Sequence, residues 1–109
     1  MFNDKVRIFK SMNVLVKNAI GTSDMLPPSP YGTWLDYWEG KSGIIIAKST
    51  KYDCPAGCGK TFFRDDFDGC HVQKVFDRTQ KLYIIPLCSG CNHRTDNFYV
   101  DENLLVPAP

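Results

Sequence analysis

The stretch Cys54-Pro55-Ala56-Gly57-Cys58-Gly59, answered 29 residues after Cys58 by Leu87-Cys88-Ser89-Gly90-Cys91-Asn92-His93, decides how this chain reads. A pair of cysteines on a tight turn offers two sulfurs to one ion, and Zn²⁺ takes four such soft ligands in a tetrahedron. Cys54-x3-Cys58 is one residue longer than the commonest spacing, yet within the tolerated range of about two to four. Cys88-x2-Cys91 has the commonest spacing. Pro55 and Gly57 shape the first turn, Gly59 lets the backbone bend past the second sulfur, and Ser89-Gly90 does the same inside the second pair. Cys54, Cys58, Cys88 and Cys91 are therefore expected to hold one structural zinc ion, whose binding free energy would reinforce folding.

The chain has five cysteines, all in its second half, so one is left over. Cys70 has no cysteine at knuckle spacing and reads as a small buried hydrophobe. A replacement ligand and a catalytic thiol are the other readings open to it.

With 109 residues, the whole chain, 1–109, is expected to be a single domain with a thin core, residues 1–50 preceding a metal-binding portion at 51–109. That length excludes a TIM barrel or a full dinucleotide-binding enzyme. The 13% aromatic content argues against disorder. Formal charge is +1, and acids and bases are interspersed, which counts against tight sequence-independent nucleic-acid binding. The start, Met1-Phe2-Asn3-Asp4-Lys5-Val6-Arg7, lacks the apolar run of a signal peptide, and no stretch is long enough to span a membrane. A soluble, cytoplasmic protein follows as the expectation, and in a reducing compartment clustered cysteines favour metal over disulfides.

Apolar residues at even positions from Val6 to Ile20 predict one or two strands broken near Ser11-Met12-Asn13. Pro27, Pro28 and Pro30 predict a loop. Trp34 and Trp38, four apart, predict a short helix capped by Thr33 or Ser29 and ended at Gly40 or Gly43. Its tryptophans read as core anchors, with the Tyr31–Trp38 segment as a protein-contact surface if exposed. Gly43-Ile44-Ile45-Ile46-Ala47 reads as a buried strand, Leu82–Leu87 as another, and Asn97–Pro107 as a hairpin turning at Asp101-Glu102-Asn103.

The two histidines, His71 and His93, both fall between or beside the cysteine pairs. His71 has the chemistry of a general base, and His93 with Asn92 that of a ligand for a second, hydrolytic metal. Residues 54–97 resemble the HNH endonuclease family through Cys54-x3-Cys58, Asp68-Gly69-Cys70-His71-Val72 and Ile84-Ile85-Pro86-Leu87-Cys88-Ser89-Gly90-Cys91-Asn92-His93-Arg94. The resemblance implies an α+β, zinc-stabilised treble-clef (ββα-metal) domain, to which the present chain adds short N-terminal strands and a Trp-bearing helix. It also implies His71 as base, Asn92 as ligand of a catalytic Mg²⁺ or similar ion, with His93 a shifted substitute, and a nucleic-acid phosphodiester as substrate. The chain departs from that pattern where it matters for catalysis. Cys70 stands where the family carries a metal-binding Asp, and Tyr83 where it carries an Asn. Trp34–Glu39, Cys70–Gln73 and Tyr83–Cys88 also resemble short bacterial zinc-binding proteins, a likeness that implies no activity.

The expectation is thus a zinc-binding, HNH-like module that is catalytically degenerate and binds DNA, RNA or a protein partner. Lys74, Arg78, Lys81 and Arg94 are its candidate nucleic-acid contacts, with a solvated face as their ordinary reading. The alternative is a divalent-metal-dependent nuclease. A thiol redox protein fits least, because Cys88-x2-Cys91 lacks the βαβ context of such motifs.

Overall fold

The computed structural model describes residues 12–109, so the part of the expected Val6–Ile20 strand region before residue 12 lies outside the described residues. Its main feature is a five-stranded antiparallel sheet in the order β6-β1-β4-β5-β7. The strands are β1 (Asn13–Asn18), β4 (Phe67–Lys74), β5 (Tyr83–Cys88), β6 (Phe98–Asp101) and β7 (Val106–Pro107). A separate hairpin pairs β2 (Tyr52–Asp53) with β3 (Thr61–Phe62). Helix α1 (Trp34–Ser42) crosses β4 and β5, and a single helical turn, α2 (Ser89–Asn92), follows β5.

Both faces of β4 and β5 are buried, for different reasons. Pairing of Val16 with Phe98, Val14 with Val100 and Cys70 with Ile85 sets these residues and Val72 on one face, inside the curl of the sheet. His71, paired with Ile84, and Gly69, paired with Pro86, look the other way, towards α1. A strand covered on both sides needs no polar alternation, which is why Ile84-Ile85-Pro86-Leu87 is continuously apolar. Pro86 is tolerated because β7 reaches only Tyr83 and Ile84, leaving that side of β5 without a neighbour at residue 86.

The tail explains the curl. The expected Asn97–Pro107 hairpin does turn at Glu102–Leu104, but as a 3₁₀ turn whose two strands never pair with each other. β6 joins one edge of the sheet and β7 the opposite edge. Crossing four strand spacings in a flat sheet needs about 19 Å. A four-residue connection containing a 3₁₀ turn reaches only about 13 Å, so the edges must approach each other. Glu102 N–H donating to the Met12 carbonyl (2.8 Å) fixes the connection at the β1 end.

Helix α1 follows its capping signals. Thr33 is extended and its hydroxyl accepts from Asp36 N–H (3.0 Å), while Gly43 takes the left-handed conformation (φ 76°) that closes the last turn. Leu35, Tyr37 and Trp38 are buried, and Trp38 (2% exposed) donates its indole N–H to the Leu104 carbonyl. The aromatic segment Tyr31–Trp38 therefore packs inward, as core anchors do.

Two expectations are corrected. Gly43–Ala47 is not a buried strand. Side chains, not a neighbouring strand, take its amides: Ile44 N–H donates to Ser42 Oγ, Ile46 N–H to Glu39 Oε2 and Ala47 N–H to the Tyr52 hydroxyl. Only Ile46 is buried. Nor is the fold the α+β treble-clef, ββα-metal domain expected from the cysteine pattern. It is mostly a curled antiparallel sheet, and the helix after the second cysteine pair stops after one turn. Asn18 caps the carbonyls at that stop. Its amide donates to the carbonyls of Cys91 (2.9 Å) and Arg94 (3.0 Å), the acceptors a longer helix would have used.

Candidate metal centre

Two separate pieces of structure carry the four sulfurs. The β2–β3 hairpin brings Cys54 and Cys58 on its connecting loop. Cys54 N–H donates to the Lys60 carbonyl (3.1 Å) and Gly57 N–H to the Cys54 carbonyl (2.9 Å), giving a tight turn. Gly57 (φ 72°) and Gly59 (φ 82°) adopt left-handed backbone there, which a side chain would strain. Cys88 ends β5 and Cys91 lies in α2, one turn on.

The Sγ atoms of Cys54, Cys58, Cys88 and Cys91 all lie within 4.8 Å of one another. Tetrahedral ligands at the usual Zn–S length of about 2.3 Å stand about 3.8 Å apart, so the grouping has the size that one ion requires. All five cysteines are free thiols. The donor set is four soft sulfurs with no oxygen or nitrogen among them, as structural zinc prefers. The four cysteines are thus placed to hold one metal ion. Cys54, Cys88 and Cys91 are buried and Cys58 is exposed.

The thiols also constrain one another electrically. Burial pushes the Cys54 and Cys91 thiols up, Cys91 to about 12, and the neighbouring sulfurs add to the rise. Burial acts on Cys88 in the same sense, but the Cys91 amide and the surrounding thiols donate to it and bring it below the ordinary value. Four sulfurs this close cannot all ionise without a cation between them. Cys70 stays outside the group. It lies inside the curl, its thiol donates to the Asp68 carbonyl (3.3 Å), and burial pushes its ionisation well above the ordinary range.

The residues proposed for catalysis are not gathered with the sulfurs into a second metal group. Among the described residues, the four cysteines are the one cluster of three or more His, Cys, Asp or Glu able to hold an ion. His71 is 7% exposed, its ring edge-on to Trp34 with centroids 4.5 Å apart, and its Nε2 is buried without a hydrogen-bond partner. Burial lowers its pKa, favouring the neutral imidazole. Asn92 is half-buried at the end of α2, and exposed His93 places Nδ1 2.7 Å from the Ser89 carbonyl.

The candidate nucleic-acid contacts divide between two places. Lys74, Arg78 and Lys81 lie at the β4–β5 loop, where Lys74 and Arg78 line a cleft of about 410 Å³. Arg94 lies beyond α2, the length of β5 away. Two of the four are neutralised locally, Lys74 by Glu102 (2.8 Å) and Arg94 by Asp96 (2.6 Å).

Asn18, which fixes the carbonyls around Cys91, carries no sequence signal, since 73 residues separate it from Cys91. The hairpin has its own anchor in Arg64, just beyond β3, whose guanidinium meets Asp36 (3.0 Å) and Glu39 (2.5 Å) of α1. Compared with protein-family models, curated proteins and solved structures, the chain matches none.

Proposed function

We propose that the chain is a zinc-stapled binding module that does no chemistry of its own. One Zn²⁺ held by Cys54, Cys58, Cys88 and Cys91 would fasten the β2–β3 hairpin to the end of β5. The observation that carries this reading is the approach of four sulfurs from two otherwise separate elements to within 4.8 Å. The setting of His71 supports the non-catalytic part. A general base needs contact with the water or hydroxyl it deprotonates, and this imidazole is packed beneath an indole. Cys70 in place of the metal-binding Asp points the same way. The HNH likeness is then one of cysteine spacing, and the partner is a protein or a nucleic acid.

Elemental analysis of protein purified without added metal tests the staple, and we expect about one zinc per chain. Plasmid nicking with Mg²⁺ and Mn²⁺ tests the absence of catalysis. Cleavage by pure protein that disappears in His71→Ala would establish the nuclease reading instead. Titration with DNA and RNA at several salt concentrations separates the partners: a steep salt dependence marks nucleic acid, and a flat response turns the search to protein partners.

A further inference from the structure

The face of the sheet that carries His71 continues past α1 onto β1 and β6. Lys17 pairs with Gln73, two residues on from His71, and Leu15 pairs with Tyr99, so these four side chains share that face. Lys17 is exposed and Tyr99 is 62% exposed. Lys17 also lines the cleft of about 410 Å³ at the β4–β5 loop, with Gln73, Lys74, Phe76, Asp77 and Arg78. Phe76 is 86% exposed. Tyr99 is the diagonal neighbour of Lys17, roughly 7–8 Å from it across the strands. One surface thus carries two solvent-facing aromatic rings, with Lys17 adjoining both. The loop beneath is held in place. Asp77 N–H donates to the Lys74 carbonyl (3.2 Å), Gln73 Nε2 to the Gln80 carbonyl (3.1 Å), and the Thr79 N–H and hydroxyl to the Asp77 carboxylate (2.9 and 2.7 Å).

The charges that line the cleft, taken with the rings, select the occupant. Lys74 is neutralised by Glu102, but Lys17 and Arg78 pair with no carboxylate of the described residues. Cations beside exposed rings match the two parts of a nucleotide, since phosphate seeks the charge and a base stacks on the ring. A peptide finds less here. β1 and β4 are each paired on both sides, so their paired backbone is closed to strand addition. The cleft is lined mostly by charged and amide side chains, which offer no apolar pocket for an anchor residue. A duplex keeps its bases stacked and paired, away from Phe76 and Tyr99. We infer that this face binds single-stranded nucleic acid, one base stacked on Phe76 and another on Tyr99, with phosphates held by Lys17 and Arg78. The inference rests on the binding-module reading and takes its nucleic-acid branch. So few phosphate contacts mean weak, sequence-tolerant binding, in keeping with a formal charge of only +1.

The test is fluorescence anisotropy of labelled twelve-nucleotide single strands, of deoxythymidine and of uridine, titrated with the full chain as purified. A duplex of the same length and polyglutamate serve as competitors, and zinc is measured on the same samples. Affinity should fall about tenfold between 50 and 200 mM salt, as two or three phosphate contacts on a single strand require. Phe76→Ala and Tyr99→Ala should each weaken binding about fivefold or more without changing its salt dependence. Lys17→Gln combined with Arg78→Gln should weaken it and flatten the log–log salt slope by about 1.4. Lys48→Gln, in the loop after α1, should bind as the wild type does. The altered side chains are exposed, and unchanged unfolding midpoints confirm that each variant is folded. Absence of binding, preference for the duplex, or rings that can be removed without loss overturns the inference. So does competition by polyglutamate equal to that by the single strand, because the face then reads charge alone. No binding by protein that holds one zinc per chain removes the inference and leaves the binding module with a protein partner. Binding of the expected pattern by protein without zinc upholds the inference and removes the staple.

Discussion

At His71 the physical chemistry of one side chain sets a pH dependence. The ring packs edge-on against Trp34 and its Nε2 has no partner, so protonation would put a charge into a buried site. Its pKa in the fold is below the ordinary 6.5. Below pH 6.5 the unfolded chain therefore takes up the proton more readily than the folded one. The contribution of His71 is complete above pH 6.5 and is lost as pH falls from there through the folded pKa. Urea unfolding at pH 7.5 and 5.5 should show a larger acid loss for the wild type than for His71→Phe. Acid lability of any metal held by the four cysteines would be common to both proteins, so the difference isolates the imidazole; equal losses would refute it. Gly69 gives a second test. A Cβ there would overlap the Trp34 carbonyl carbon and the Leu35 nitrogen, backbone atoms that cannot step aside. Gly69→Ala should lower stability by about 1–3 kcal/mol, whereas Gly90→Ala, with open space around it, should stay within about 0.5 kcal/mol. Comparing urea midpoints checks both.

At the scale of elements, the caps and the knuckles were legible because their signals are local. Thr33 and Gly43 bound α1 through bonds to residues three or four positions away. The cysteine pairs close turns of a few residues. The isoleucine run reads as a strand but forms none, because its amides go to Glu39 and Tyr52 side chains, which local β-propensity does not register. The tail departs from the expected hairpin for a similar reason. Its turn is local, but the edges on which β6 and β7 land depend on the curl of the whole sheet. The end of α2 is capped by Asn18, 73 residues before Cys91. Asn18→Ala removes both hydrogen bonds and should cost about 1–3 kcal/mol while loosening the metal centre. A competition titration against a zinc chelator should show weaker binding by the variant than by the wild type. The β2–β3 hairpin stands outside the main sheet. In hydrogen exchange on metal-stripped protein, amides of 52–62 should lose protection before those of β1 and β4; uniform loss would show that the metal supports the entire fold rather than the hairpin.

The whole molecule is a small curled sheet in which one cluster of four sulfurs lies between the β2–β3 hairpin and the end of β5. Val16, Val72, Ile84, Ile85, Leu87 and Val100 are fully buried, in a core that also takes in Leu35, Trp38, Phe67 and Phe98. A four-thiolate ion would add binding free energy that the unfolded chain cannot match. Of the site, the sequence carried the grouping of Cys54, Cys58, Cys88 and Cys91 and the separateness of Cys70, because spacing alone reports them. It could not carry the burial of His71 or the exposure of Ile44 and Ile45, which are products of packing. The most direct test of the central claim is metal content coupled to unfolding. Protein purified without added metal should contain about one zinc per chain, leave Cys70 as the one cysteine without a metal bond, and unfold at markedly lower temperature once a chelator removes the ion. Protein that folds with negligible zinc, and whose melting temperature a chelator leaves unchanged, would contradict it.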